Sequence, residues 1–141
     1  MVAPMNVRLP QRVSDALNAH AKKTAKPKSA VVSMAVDEWL RLQDHPSIRF
    51  VTPITGQRRA ALVDGPEVWS VAEAWLQCTG PDRTVASVAE VTGLRIDQVE
   101  AALAYWADNR EEVDQTIEAI HQAQHAEYAA WQRRQALDHL P

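Results

Sequence analysis

Met5-Asn6-Val7-Arg8-Leu9, set between Pro4 and Pro10, is the stretch on which the fold of this chain turns. Apolar and polar side chains alternate with the period of two that a β-strand requires, so Met5, Val7 and Leu9 share one face and Asn6 and Arg8 the other. Pro10 then supplies the fixed φ of a first helical turn. Val13, Leu17 and Ala21 follow at i, i+4 spacing, which predicts a helix to about Lys23. The segment Thr24-Ala25-Lys26-Pro27-Lys28 interrupts it. From Pro27 or Lys28 a second helix begins, with an apolar stripe of Val31, Val32, Ala35, Val36, Trp39 and Leu40 that ends near Asp44-His45-Pro46. One short strand and two helices can neither hide their apolar faces nor satisfy the strand's edge hydrogen bonds. The expected state is therefore a homodimer in which two copies pair strand to strand.

Strand phase, the Leu9-Pro10 step, the basic turn and both helix lengths together make residues 4–43 resemble the ribbon-helix-helix repressors of the Arc, MetJ and CopG type. The resemblance implies that the polar strand residues enter the major groove of operator DNA as a two-stranded ribbon. Asn6 and Arg8 would then be the base readers: Asn pairs bidentately with adenine, and Arg with guanine O6 and N7. It also implies a phosphate clamp built from backbone N–H groups at the start of the second helix, where Lys26, Lys28 and Ser29 stand. Pro4 and Pro27 depart from the family pattern. Many members carry a polar or basic reader at the first position and a small polar cap at the second.

The charge distribution agrees with a DNA-facing head. The 141 residues carry a formal net charge of −3, but residues 1–45 hold seven basic and four acidic side chains, a net of +3. The remaining eight basic and fourteen acidic residues give −6, so a basic head precedes an acidic body. Cys78 is the one cysteine, which excludes an intrachain disulfide and a thiolate zinc site and fits a reducing cytoplasm. No long apolar run and no charged-apolar-small leader appears, so a cytoplasmic protein without a membrane span is expected.

Beyond the head, Ile48-Arg49-Phe50-Val51 and Arg59-Ala60-Ala61-Leu62-Val63 flank Thr52-Pro53-Ile54-Thr55-Gly56-Gln57. This reads as an extended or hairpin linker over residues 46–65. Pro66 and Glu67 start a helix to about Cys78, carrying Val68, Trp69, Val71, Ala72, Trp75 and Leu76. Residues 84–106 read as helix, tight turn, helix, with Ala89, Gly93 and Val99 at helix-turn-helix spacing. The second of these helices opens on Asp97, Gln98 and Glu100, the wrong charge for phosphate, so protein contact or structure is its expected role. The expected organisation is a head over 1–45, the linker, a helical domain over 66–120 and a helical tail over 121–141. The overall class is mainly α.

Residues 46–118 also resemble the small helical domain found with bacterial antitoxins, which implies a VapB-like antitoxin. In such a protein the head represses the operon and the remainder holds a toxin, often a PIN-domain ribonuclease. From Asn109 onward the chain should be largely helical, either folded back on its own domain or laid in a partner's groove, with Tyr128 and Trp131 as aromatic anchors for a toxin.

His121, His125 and Glu118 could share a helix face, but two histidines without a third strong ligand read as solvated surface, and no metal is expected. Trp39, Trp69 and Trp106 continue apolar stripes and read as core rather than as stacking platforms for single strands. No phosphate loop, nucleophile grouping or carboxylate cluster supports catalysis, and no cofactor is expected. The expected function is that of a type II antitoxin acting as a dimer or a pair of dimers. The competing readings are a ribbon-helix-helix regulator without a toxin, whose C-terminal domain senses a ligand or oligomerises, and a scaffold that dimerises without reading DNA.

Overall fold

The computed structural model describes residues 3–54 and 56–141, in two compact units, one ending at Asp44 and the other running from His45 to Pro141. Thr55, inside the expected turn, lies outside the described residues.

The first unit holds α1 (Gln11–Thr24) and α2 (Lys28–Asp44). Pro10 precedes α1, and its carbonyl accepts the Ser14 N–H at 3.0 Å. Lys22 and Lys23 fill the last turn, where the negative end of the helix dipole favours cations. The helix closes at Ala25, which sits in the left-handed region at φ +53°. Ala25 N–H donates to the Lys22 carbonyl, and Lys26 N–H to that of Ala21 at 3.1 Å, a closure that glycine usually serves. At the start of α2 the Pro27 carbonyl accepts from the amides of Ala30 and Val31 at 3.1 and 3.2 Å.

The strand expected at residues 5–9 is not formed within a single chain, where residues 3–10 carry neither helix nor ladder. A ladder needs a second strand, and the first unit has none of its own. Among the described residues, only Ala21 and Val31 of this unit's apolar side chains are buried. Trp39 corrects the sequence reading: it was expected in a core, yet it is 61% exposed, because one copy supplies nothing to lie over its stripe.

The second unit begins with an antiparallel hairpin, β1 (Ile48–Val51) and β2 (Arg59–Leu62), with Ile48 opposite Leu62 and Val51 opposite Arg59. Expected as a linker, this hairpin instead contributes to the core, since Ile48, Ala60, Ala61 and Leu62 are all buried. Helices α3 (Val68–Gln77), α4 (Val85–Thr92), α5 (Ile96–Asp108) and α6 (Arg110–Leu137) follow. Glu67, expected in the first turn of α3, stands just before it and accepts from Trp69 Nε1 at 2.7 Å. Cys78 ends α3, as a helix-end residue should.

Helix α3 packs on β2 and on the other three helices, and α5 lies against both α3 and the hairpin. Val99, Ala102 and Tyr105 form the inner stripe of α5 at helical spacing and are fully buried. Burial of the aromatic pair on α5 is made affordable by its polar tips: Tyr105 OH donates to Glu112 at 2.6 Å, and Trp106 Nε1 to Asp114 at 2.8 Å. Gly93, at φ +73°, turns the chain between α4 and α5, and Ala89 and Val99 are buried on either side of it. Asn109 separates α5 from α6, and α6 then runs unbroken past residue 120, where the sequence suggested a boundary between domain and tail.

Candidate nucleic-acid interface

Asn6, Arg8, Lys26, Lys28 and Ser29 are all exposed on the first unit. None of these five side chains has a hydrogen-bond or ion-pair partner among the described residues, so each is free to meet a ligand. Pro27 adds a backbone feature to the turn. Its carbonyl takes the amides of Ala30 and Val31, while its ring offers no acceptor to the first amides of α2. The N–H groups of Lys28 and Ser29 thus open outward at the positive end of the helix, beside two lysines, which is the chemistry of a phosphate seat. Pro27, which has no side-chain acceptor, leaves these donors available. Of the acids on α2, Asp37 is held by Arg41 one turn on.

The start of α5, the other element with a DNA-reading spacing, is built differently. Arg95 donates to Asp64 at 2.8 Å and to Asp97 at 3.0 Å. Gln98, expected on an exposed reading face, is buried instead at 7% exposure. Its Oε1 accepts the Arg95 N–H at 2.9 Å, and its Nε2 donates to the carbonyl and carboxylate of Asp64 at 3.2 and 3.1 Å. Gly65 lies close under this network, where an added Cβ would come within 3.2 Å of Leu62 and 3.3 Å of Gln98. Hydrogen bonds from Arg95, then Gln98, hold the Asp64 carboxyl below its usual range. Arg95 does the same for Asp97, and the two carboxylates raise the guanidinium in return.

The one cation at the start of α5 is therefore already shared by two acids, and Glu100 beside it is exposed. This surface repels phosphate rather than binding it. The sequence pointed to the charge but missed the network. The one signal for it was Gln98 three residues after Arg95, at the spacing by which a side chain returns to the cap amide.

Tyr128 and Trp131 stand on the distal half of α6 at 58% and 47% exposure, with their rings stacked 5.8 Å apart at 19°. Neither folds back on the second unit. Among the described residues, the last ion pair or hydrogen bond from α6 to the rest of that unit is the one between His121 and Glu73 on α3, which also takes His121 away from the His121, His125 and Glu118 grouping. Among the described residues no helix is long and apolar enough to cross a membrane. Compared with protein-family models, with curated proteins and with solved structures, the chain matches none.

Proposed function

We propose that this chain is an antitoxin that binds operator DNA as a dimer, represses its own operon and neutralises a co-encoded toxin by direct contact. The observation that carries the DNA-binding half is the uncovered apolar side of the first unit. Met5, Val7, Val36, Trp39 and Leu40 are each more than half exposed in a unit with only two buried apolar residues. A unit of this size cannot be stable in that state, and a second copy supplies the missing half of its core. Pairing two copies through residues 5–9 buries Met5, Val7 and Leu9 together and turns Asn6 and Arg8 of both chains outward, on a unit of net charge +3. Lys26, Lys28 and Ser29 supply phosphate contacts that fix the ribbon in the groove.

The toxin-binding half rests on Tyr128 and Trp131, a rigid aromatic pair on a helix that its own unit leaves uncovered. A PIN-domain ribonuclease is the toxin class that the sequence resemblance suggests. The reading without a toxin asks the second unit to sense a ligand or to build oligomers. Its cleft of about 290 Å³ beside Ser47, Val63 and Ala101 is lined by Asp64, Arg95 and Asp97, charges that are already paired with one another.

Arg8→Ala tests the DNA assignment. In gel shifts on the chain's own upstream DNA, each lost bidentate base contact costs about 1–3 kcal/mol, and the symmetric dimer loses two. Selectivity over random DNA should collapse while the dimer persists; unchanged selectivity removes Arg8 from the reading surface. Trp131→Ala should weaken capture of the product of the adjacent gene without changing the operator shift. Full capture by that variant would take the tail out of the toxin contact.

A further inference from the structure

We infer that, in the toxin-free protein, the distal halves of α6 from two copies pair with each other as antiparallel helices, burying Tyr128 and Trp131 against their counterparts. The starting observation is a helix that runs far beyond its support. Val113 and Ile117 are buried in the second unit, His121 makes the last ion pair with it among the described residues, and every residue from Gln122 to Tyr128 and from Trp131 to Leu137 is exposed. At 1.5 Å per residue that leaves roughly 24 Å of helix without a neighbour, a length that is marginal in water when isolated.

The uncovered part has a defined seam. Ile117, His121, Gln124, Tyr128, Trp131 and Gln135 recur at alternating spacings of four and three, so the stripe that packs on the second unit continues directly into the tail. Two such seams fit together in one direction. With a two-fold axis near Ala129 and Ala130, Tyr128 of each copy meets Trp131 of the other, and Gln124 meets Gln135.

The charges select the same arrangement. Glu127 and Arg134 flank the seam on one edge, and neither has an ion-pair partner among the described residues. In the antiparallel pair that edge faces itself, so Glu127 of each copy lies within reach of Arg134 of the other, twice. In a parallel pair that edge would face the opposite edge of the other helix, with Gln132 across from Glu127, and neither ion pair would form. Because a two-fold pair is self-complementary, the occupant is a second copy of this chain, and it covers the same aromatic pair that a toxin would take.

Site-directed disulfide formation in the full chain tests this, with Cys78→Ser as background and no toxin present. Coexpressing one chain that carries Gln124→Cys with a tagged chain that carries Gln135→Cys should give the mixed cross-linked species under mild oxidation. Either variant expressed alone should not cross-link. Adding Glu127→Arg to both chains should reduce the mixed product several-fold, and adding Arg134→Glu as well should restore it, which a merely unfolded tail would not do. A homotypic cross-link through Gln124→Cys would overturn the antiparallel form. A mixed product no greater than with Ala126→Cys, on the opposite side of the helix, in place of Gln124→Cys would overturn the pairing itself. Both results are independent of whether a toxin exists.

Discussion

The two units are built from amphipathic helices of the same kind, yet they dispose of their apolar faces in opposite ways. From His45 to about His121 the chain closes on itself: Val71, Val88, Val99, Ala102 and Tyr105 have no exposed surface, and polar tips such as the Tyr105 hydroxyl find partners on a neighbouring helix. The first unit buries Ala21 and Val31 and leaves Met5, Val7, Val36, Trp39 and Leu40 in the open. Completing a core inside one chain makes stability a property of that chain. In the dimer proposed above, the half left outside would tie folding to association, and therefore to protein concentration.

The largest effects should separate the units on that ground. Tyr105→Ala removes a fully buried aromatic ring and its hydrogen bond to Glu112, which should cost about 3–5 kcal/mol. Its melting should not depend on protein concentration. Trp39→Ala takes no buried ring from the single chain, so its effect should fall on the dimer. The transition of the first unit should move to lower temperature, with a stronger dependence on concentration. Thermal melts of both full-length variants at two concentrations give the comparison. A concentration-independent transition for Trp39→Ala would mean that the first unit does not draw its stability from a second copy.

What the sequence made legible, and what it hid, follows the same division. Pro10 and the i, i+4 spacing of Val13, Leu17 and Ala21 were enough to locate α1, because helix starts and apolar periodicity are local properties. Ala89, Gly93 and Val99 located the turn between α4 and α5 for the same reason. The failures are all of longer range. The Trp39 stripe reads alike whether the same chain or another covers it. The hairpin read as a linker because nothing local says that Ala60, Ala61 and Leu62 meet α3. Gln98 read as exposed because its partner, Asp64, lies 34 residues earlier. In the proposed DNA site the residue types were legible, whereas the role of Pro27 needed backbone hydrogen bonds.

A smaller effect sharpens the contrast from the side of the first unit. Ala25 is the one non-glycine residue at positive φ among the described residues, and a Cβ there costs about 1–2 kcal/mol. Glycine removes that strain but gives up roughly 0.5–1 kcal/mol to the greater freedom of the unfolded chain. Ala25→Gly should therefore stabilise the first unit by up to about 1 kcal/mol and raise its transition alone. A destabilised variant would show that the turn into α2 depends on the rigidity that alanine gives it.

The smallest effect belongs to the second unit and is set by pH. Asp64 and Asp97 both have their carboxyl groups lowered by Arg95. The folded state therefore binds those protons less readily than the unfolded chain does. The stability they supply is complete above the ordinary carboxylate range, near pH 4, and is lost as pH falls through the lowered folded values. Both acids and Arg95 are largely exposed, so the contribution is screened and should shrink further in salt. Arg95→Gln should bring both carboxyls back toward their ordinary values and flatten the acid limb of the second unit's stability, with its neutral-pH melting little changed. The remaining carboxylates are common to both proteins, so the difference between the two pH profiles carries the result. If the acid limb of Arg95→Gln superimposes on that of the parent chain, the network holds the turn at Gly65 through Gln98 alone, and its charges are surface ornament rather than support.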